Sequence, residues 1–254
     1  MSLIKIHDWD SHHFGFKVAR LSEGSSEALG EAMDICRREG VRLVISRFST
    51  DNIHFAQELE GLGFHLMDTV TRYRLSLSSM ALPAVRTPAA IRPCLVSEAE
   101  YLANLATDIY VNHMGHFHND PRLDRDKCNS VYAELILNSC IIDGFADLVL
   151  VAEIKGKVAG FHSHRVEGDG LAGIISGVTR EAQGYGIGKA LILASADWGR
   201  SKGLKWIEEY PHLNNYPMHG IMTSLQFKMQ SSSYTFHKWF DTPIEGKDAK
   251  VEHD

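Results

Sequence analysis

The chain has 254 residues, 44% of them hydrophobic, and a formal net charge of -6 at pH 7. The length suits one large domain or two small ones, and the charge gives no basic field for nucleic acid. No apolar run approaches the ~20 residues of a membrane span, Asp8 and Asp10 stand where a signal peptide would be apolar, and the four cysteines form no C-x-x-C pair, so a cytoplasmic protein with reduced thiols is expected.

From the N-terminus, DWDSHHFGFKVARL (8–21) leads to a helical run ending in ICRREG (35–40), where Gly40 follows basic residues as a helix stop. Strand VRLVI (41–45) comes next, then STDNIHFAQELEGLGF (49–64), in which Asn52 is a favoured N-cap. Strand DTVTRYRLSL (68–77) closes this half. An offset of 163 residues aligns ICRREG with WGRSKG (198–203) and VRLVI with LKWIE (204–208). It also aligns STDNIHFAQELEGLGF with HLNNYPMHGIMTSLQF (212–227), and DTVTRYRLSL with SSSYTFHKWF (231–240). Each copy predicts helix, glycine stop, strand, polar loop, Asn-capped helix and strand. Identities are few, but the register holds without a gap, so duplication of one supersecondary unit explains it better than chance likeness.

Between the copies, SSMALPAVRTPAAIRP (78–93) carries three prolines and reads as a linker. The expected division is therefore 1–80, a linker over 81–93, a second domain over 94–240 and a polar, mobile tail over 241–254. The second domain opens with helices over 98–110 and 124–138. Three strands follow, over 146–154, 157–166 and 171–178, joined by two short glycine-bearing turns, which predicts an antiparallel meander.

After Val178 comes a polar loop and then Gln183-Gly184-Tyr185-Gly186-Ile187-Gly188, leading into a helix. Glycines after a strand and before a helix let several backbone N–H groups converge, and the helix N-terminus adds positive potential, a combination suited to a pyrophosphate. Lys189 in the first turn would need a nearby anion. A nucleoside-triphosphate loop is rejected, because Gln183 stands where its first glycine belongs and Ala190 where its Ser/Thr belongs. A dinucleotide site would use Glu208 or Glu209 on the next strand, but its glycines should directly follow the strand. Coenzyme A and a ligand-free turn complete the choices.

The stretch VTREAQGYGIGKAL (178–191) resembles the acyl-CoA motif Q/R-x-x-G-x-G/A of the GNAT N-acetyltransferase superfamily. The order of elements over 91–240 fits that superfamily too. DWDSHHFGFKVARL, FHNDPRLDRDKCNSVYAELILNS (117–139) and the Asn-capped helix further resemble enzymes that N-acetylate nucleotide-linked amino sugars, the TDP-fucosamine acetyltransferases, whose N-terminal domain lacks the glycine loop. The resemblance implies an α/β (α+β) GNAT fold with a central mixed, largely antiparallel sheet. A smaller N-terminal half-domain resembling the GNAT C-terminal unit would precede it. It implies acetyl-CoA as co-substrate, no metal, a small-molecule amine acceptor led by a nucleotide-linked amino sugar, and allows a homodimer. Val178 would hold the pantetheine. Gln183, Gly184, Tyr185, Gly186, Ile187, Gly188 and Lys189 would receive the pyrophosphate, and Asn215 would bond the coenzyme as well as cap its helix.

In many GNAT enzymes a Tyr seven residues after this Asn protonates the leaving sulfur; here that position is Met222, and Gln226 replaces the usual glycine before Phe227. Either the thiolate leaves unassisted, as a thiol pKa of ~8.5 allows, or Tyr216 or His219 serves, or the protein binds coenzyme A without transfer. His162 and His164 share a strand face and have a suitable pKa for a general base. The stretch NHMGHFHND (112–120) reads as H-x-x-H-x-H, but lacks a second ligand group for a metal. His116, His118 and Asp120 are instead expected to contact the acceptor.

Overall fold

The computed structural model describes residues 3–78, 83–111 and 113–240. The first residues of the expected linker, Asn112 of the histidine-rich stretch and the 241–254 tail lie outside them. No described helix is long and apolar enough to cross a membrane.

The chain divides into two compact units, one reaching Leu66 and taking back the chain from Thr235, the other Met67–Tyr234. The division falls inside a long strand rather than at the proline-rich linker. The expected boundary near residue 80 therefore does not coincide with it, and the last strand crosses back into the first unit at Thr235.

In the first unit, β1 (Ile4–Ile6), α1 (Asp8–Phe14), β2 (Val18–Leu21), α2 (Ser26–Arg38), β3 (Leu43–Ser49) and α3 (Ile53–Gly61) follow in turn. Strand β2 pairs antiparallel with β1 and parallel with β3. Ser25 and Asn52 cap α2 and α3 by accepting from the N–H groups of Ala28 and Phe55. Leu29, Met33, Cys36, Leu43, Ile45, Phe55 and Leu59 are buried. Each large aliphatic or aromatic side chain so buried contributes about 1.5–3 kcal/mol.

The second unit holds most of β4 (His65–Ser76), then β5 (Ala90–Pro93), α4 (Ala99–Tyr110), α5 (Arg125–Ile141), β6 (Leu148–Ile154), β7 (Lys157–Glu167) and β8 (Gly170–Val178). Next come α6 (Ile187–Ser201), β9 (Trp206–Glu209), α7 (Tyr216–Ser224) and the start of β10 (Lys228–Trp239). The strand order here is β4-β9-β8-β7-β6-β5. The predicted meander is β6-β7-β8, and every pair in this order is antiparallel except β8 with β9. Leu191, Ile192 and Ala196 of α6 pack on one face of this sheet with Leu150, Leu171 and Ile207; Leu102 and Ala106 of α4 and Ile136 of α5 pack on the other with Val151, Phe161 and Ile175.

The pairing of β8 with β9 determines where the site lies. It runs only from Gly170↔Trp206 to Ala172↔Glu208, and β8 then continues alone to Val178. Beyond Ala172 the two parallel strands part, leaving a slot bordered by the β9-facing edge of β8.

The 163-residue echo also holds in three dimensions. Helix α3 maps onto α7, and β4 onto β10, end to end at that offset. Gly40 and Gly203 take left-handed φ values of 68° and 74°.

Candidate active site

The glycine loop follows β8 through a short 3-10 turn, Arg180–Ala182. Gln183 Nε2 donates back to the Val178 carbonyl at 3.3 Å. Gly184 and Gly186 take φ of 84° and 75°, where a Cβ is penalised. Gly186 is the N-cap of the 15-residue α6 and supplies no side-chain cap, so the first-turn N–H groups are left for another acceptor. Val178, Gln183, Gly184, Tyr185, Gly186, Ile187, Gly188, Lys189 and Asn215 all line one cavity of about 1030 Å³. Val85 and Arg86 of the linker line it as well; a Cβ on Gly186 would lie 2.8 Å from the Arg86 carbonyl oxygen. The donor set fits a phosphate-bearing ligand: uncapped helical N–H groups, two left-handed glycines and Lys189. Asn215 Oδ1 accepts from the Met218 N–H at 3.2 Å, so it caps α7 while facing this cavity.

A second cavity of about 350 Å³ shares Val178, Gln183, Gly188 and Asn215 with the first and follows the slot between β8 and β9. Its walls include His162, Glu209, Tyr110, His113, Tyr132 and His212. Tyr110 stacks on Tyr132 with centroids 4.2 Å apart and donates to the Ser176 carbonyl at 2.6 Å.

At its floor, Glu209 is 4% exposed and receives two imidazoles: His162 Nε2 lies 3.2 Å from Oε2 and His164 Nε2 3.0 Å from Oε1. The strand alternation that predicted one face for the two histidines holds, with ring centroids 3.9 Å apart. Burial opposes the Glu209 charge, but the two histidines outweigh it and hold its carboxyl down at about 2. Burial, then the neighbouring His162, pushes His164 down to about 4. His164 Nδ1 is buried without a hydrogen-bond partner, which assigns its proton to Nε2, facing the carboxylate. The donor atoms of His162, His164 and Glu209 lie within 4.8 Å of one another, as in a metal site. A metal on His164 Nε2 would force the proton onto Nδ1, where no acceptor awaits it. The cluster is better satisfied as a carboxylate receiving two N–H groups.

Beside this floor, His212 Nδ1 is 3.1 Å from Oδ2 of the buried Asp68, at ion-pair distance though outside hydrogen-bond alignment. His113 packs edge-on to His212 with centroids 4.9 Å apart, and burial, then His212, pushes His113 down to about 3.

Several expected residues lie elsewhere. His116, His118 and Asp120 line neither cavity. The Asn119 N–H closes a turn onto the Gly115 carbonyl, folding this segment back on itself. His118 Nε2 then meets Asn129 Oδ1 at 2.9 Å, Asp120 Oδ1 accepts from the Arg122 N–H, and His116 packs on Phe117. The histidine of that stretch that does reach the cavity is His113. Tyr216, at the start of α7, is 76% exposed and lines neither cavity. His219 is turned away as well, with Nδ1 3.0 Å from the Tyr73 hydroxyl and Nε2 3.2 Å from the His212 carbonyl. His164 stands behind His162 and touches the cavity only through Glu209. Met222 is fully buried in the core with Leu191, Leu225 and Phe227; Met218 and Ile221 face the cavities instead.

Residues 112–225 match the acetyltransferase (GNAT) family. A mycothiol acetyltransferase of Stackebrandtia nassauensis is 30% identical over 95 residues, covering 36% of this chain and 31% of that protein, so the match spans less than a third of the relative's own length. The GCN5-related N-acetyltransferase from Sphaerobacter thermophilus superposes with a TM-score of 0.65 at 11% identity, covering 93% of this chain and 76% of that one. A tandem GNAT protein from the clavulanic acid biosynthesis pathway gives a TM-score of 0.61 at 14% identity, covering 87% and 75%. The chain thus carries the GNAT fold, and its segment 112–225, which holds the glycine loop, Glu209 and Asn215, matches the GNAT acetyltransferase family.

Proposed function

We propose that this protein is an acetyl-CoA-dependent N-acetyltransferase that acetylates a primary amine of a small molecule. The observation that carries this reading is the sharing of Val178, Gln183, Gly188 and Asn215 between the glycine-loop cavity and the cavity floored by Glu209. A phosphate-bearing donor held by the loop has its reactive end in the same space as a proton-handling cluster.

Acetyl-CoA supplies the thioester carbonyl. The loop N–H groups and Lys189 hold its pyrophosphate, and the edge of β8 left by β9 offers backbone donors to the carbonyl oxygen. His162 Nε2 is committed to Glu209, leaving Nδ1 to take the proton of the attacking amine. Glu209 stays ionised and offsets the imidazolium charge that forms, as the carboxylate does in a Ser-His-Asp triad. His164, held neutral by burial, fixes the carboxylate from its other oxygen. Holding both partners in one slot supplies much of the acceleration.

For the acceptor, the resemblance of the 8–21 and 117–139 stretches favours a nucleotide-linked amino sugar. The match to mycothiol acetyltransferases favours a different small acceptor. In either case, about 350 Å³ accommodates the amine-bearing part and leaves the remainder outside.

Thermal denaturation with acetyl-CoA, NAD or buffer is the first test. Stabilisation by NAD and not by acetyl-CoA would sink the reading. Free-thiol release with TDP-amino sugars and other primary amines then identifies the acceptor. Stabilisation by acetyl-CoA without release for any amine would instead identify a coenzyme-binding module.

A further inference from the structure

The reaction leaves a thiolate, and the position where a phenol would protonate it is filled by Met222, which is fully buried and lines neither cavity. Tyr216 and His219 do not line the cavities either. A donor that assists the departure of the sulfur therefore belongs to another element. Resting on the acetyltransferase reading, we propose that His212 is that donor, positioned by Asp68, and that the Asp68–His212 pair replaces the missing phenol.

The placement is rigid. Strand β4 grips the segment around His212 from both sides: the Thr71 N–H donates to the Pro211 carbonyl at 2.9 Å and the Leu213 N–H to the Thr69 carbonyl at 2.8 Å, with Val70 bridged to His212. Three residues later, Asn215 faces the coenzyme cavity, so one short loop carries both groups. Asp68, 4% exposed in the side chain, lies 3.1 Å from Nδ1, and Nε2 is the nitrogen left to give a proton. The groups facing His212 are Asp68 from β4, His113 and His118 from the segment before α5, and His219 of α7 at the backbone. His113 is kept neutral by its burial, so Asp68 supplies the charge that faces His212.

The step balances. As the amine nitrogen bonds to the carbonyl carbon, the C–S bond breaks and its electron pair goes to sulfur. The His212 Nε2 proton moves to that sulfur, and the proton lost by the amine goes to His162. Solvent returns one proton to His212 and removes one from His162.

The experiment uses coenzyme A itself and needs no acceptor. The thiolate absorbs in the ultraviolet, so the pKa of the bound thiol can be titrated on the wild-type chain and on His212→Gln and Asp68→Asn. An adjacent imidazole that gives its proton to sulfur stabilises the thiolate. The bound thiol should ionise about one pH unit or more below its ordinary ~8.5 in the wild type, and return toward it in both variants. Circular dichroism of each variant reports its folding. His212→Lys restores a cation and should recover part of the shift. If coenzyme A binds all the folded chains with one unchanged thiol pKa, His212 is not at the sulfur and the assignment is overturned. If coenzyme A fails to bind the wild type, the acetyltransferase reading falls, and this assignment with it.

Discussion

Gly63 and Gln226, 163 residues apart, occupy the same left-handed turn, with φ of 79° and 63°. In each copy the turn ends the Asn-capped helix in the same way: the Phe64 N–H reaches the Leu59 carbonyl and the Phe227 N–H the Met222 carbonyl, both at 2.9 Å. Only the side chain differs. A non-glycine residue in this region costs roughly 1–2 kcal/mol, while glycine costs back about 0.5–1 kcal/mol in chain entropy. Gln226→Gly should therefore raise stability by about 0.5–1 kcal/mol. Urea unfolding of the two chains measures it; a loss of stability would show that Gln226 makes a compensating contact.

The same turn fixes the orientation of Met222, and so the result of placing a phenol there. Met222 is packed among Leu191, Leu225 and Phe227 with no exposed surface. Met222→Tyr would force a larger, polar-tipped side chain into that space, which costs typically 1–3 kcal/mol. Transfer should gain nothing, because the new hydroxyl is not directed at the cavity. A higher turnover number in this variant would mean that α7 rotates in the working enzyme.

Much of this was legible in the chain, and the limits of legibility have a physical pattern. The Asn52 and Asn215 caps, the glycine stops and the offset of 163 are local signals, and the elements they predict occur at those positions. The glycine loop was legible for the same reason: consecutive residues build it. Glu209 was not identified as the partner of the two strand histidines. On sequence it is the polar end of a short strand, and its role follows from meeting His162 and His164, which lie 47 and 45 residues earlier. Asp68 and His212 are further apart still, joined by the bridge between β4 and the loop after β9. His116, His118 and Asp120 line neither cavity because the segment turns back on itself, which spacing alone does not reveal.

Acid should destabilise the protein in a window set by its buried histidines. His164 is depressed to about 4 and His113 to about 3, against 6.5 when exposed. With the folded values lowered, the unfolded chain binds more protons below 6.5. The full stability is therefore present above about pH 6.5 and is lost as pH falls toward the folded values, by up to ~1.4 kcal/mol per pH unit for each group. Glu209, depressed to about 2, extends the loss below its ordinary 4.5. Urea unfolding at about pH 7.5, 5.5 and 4.5 should show this fall, and His164→Asn should show a smaller one. Equal stability at all three would mean that these histidines take up protons in the fold as readily as in the unfolded chain.

Removing the Glu209 charge should separate its electrostatic role from packing. Glu209→Gln keeps the shape but withdraws the charge that stabilises an imidazolium at His162. The turnover number should fall by roughly 10²–10⁴, with the affinity for acetyl-CoA unchanged. The pH–rate profile should move as well, since the carboxylate charge beside the proposed base is withdrawn. A variant with an unmoved profile and a raised KM for the amine would make Glu209 a binding group for the acceptor's ammonium instead.

Gly186 gives the sharpest test of the loop. It takes φ of 75°, and an added Cβ would lie 2.8 Å from the Arg86 carbonyl oxygen of the linker, closer than real contacts allow. Gly186→Ala must therefore either displace the linker or straighten the loop, and both spread the N–H groups that converge on the anion. Gly184 is the control. It has a similar φ of 84°, but among the described residues no atom lies within 4 Å of its would-be Cβ, so Gly184→Ala carries the backbone cost of roughly 1–2 kcal/mol without the clash. The affinity for acetyl-CoA, measured by calorimetry, should fall at least about tenfold further in Gly186→Ala than in Gly184→Ala, a difference of ~1.4 kcal/mol. Equal losses would mean that the linker yields freely and that only loop conformation matters to the coenzyme.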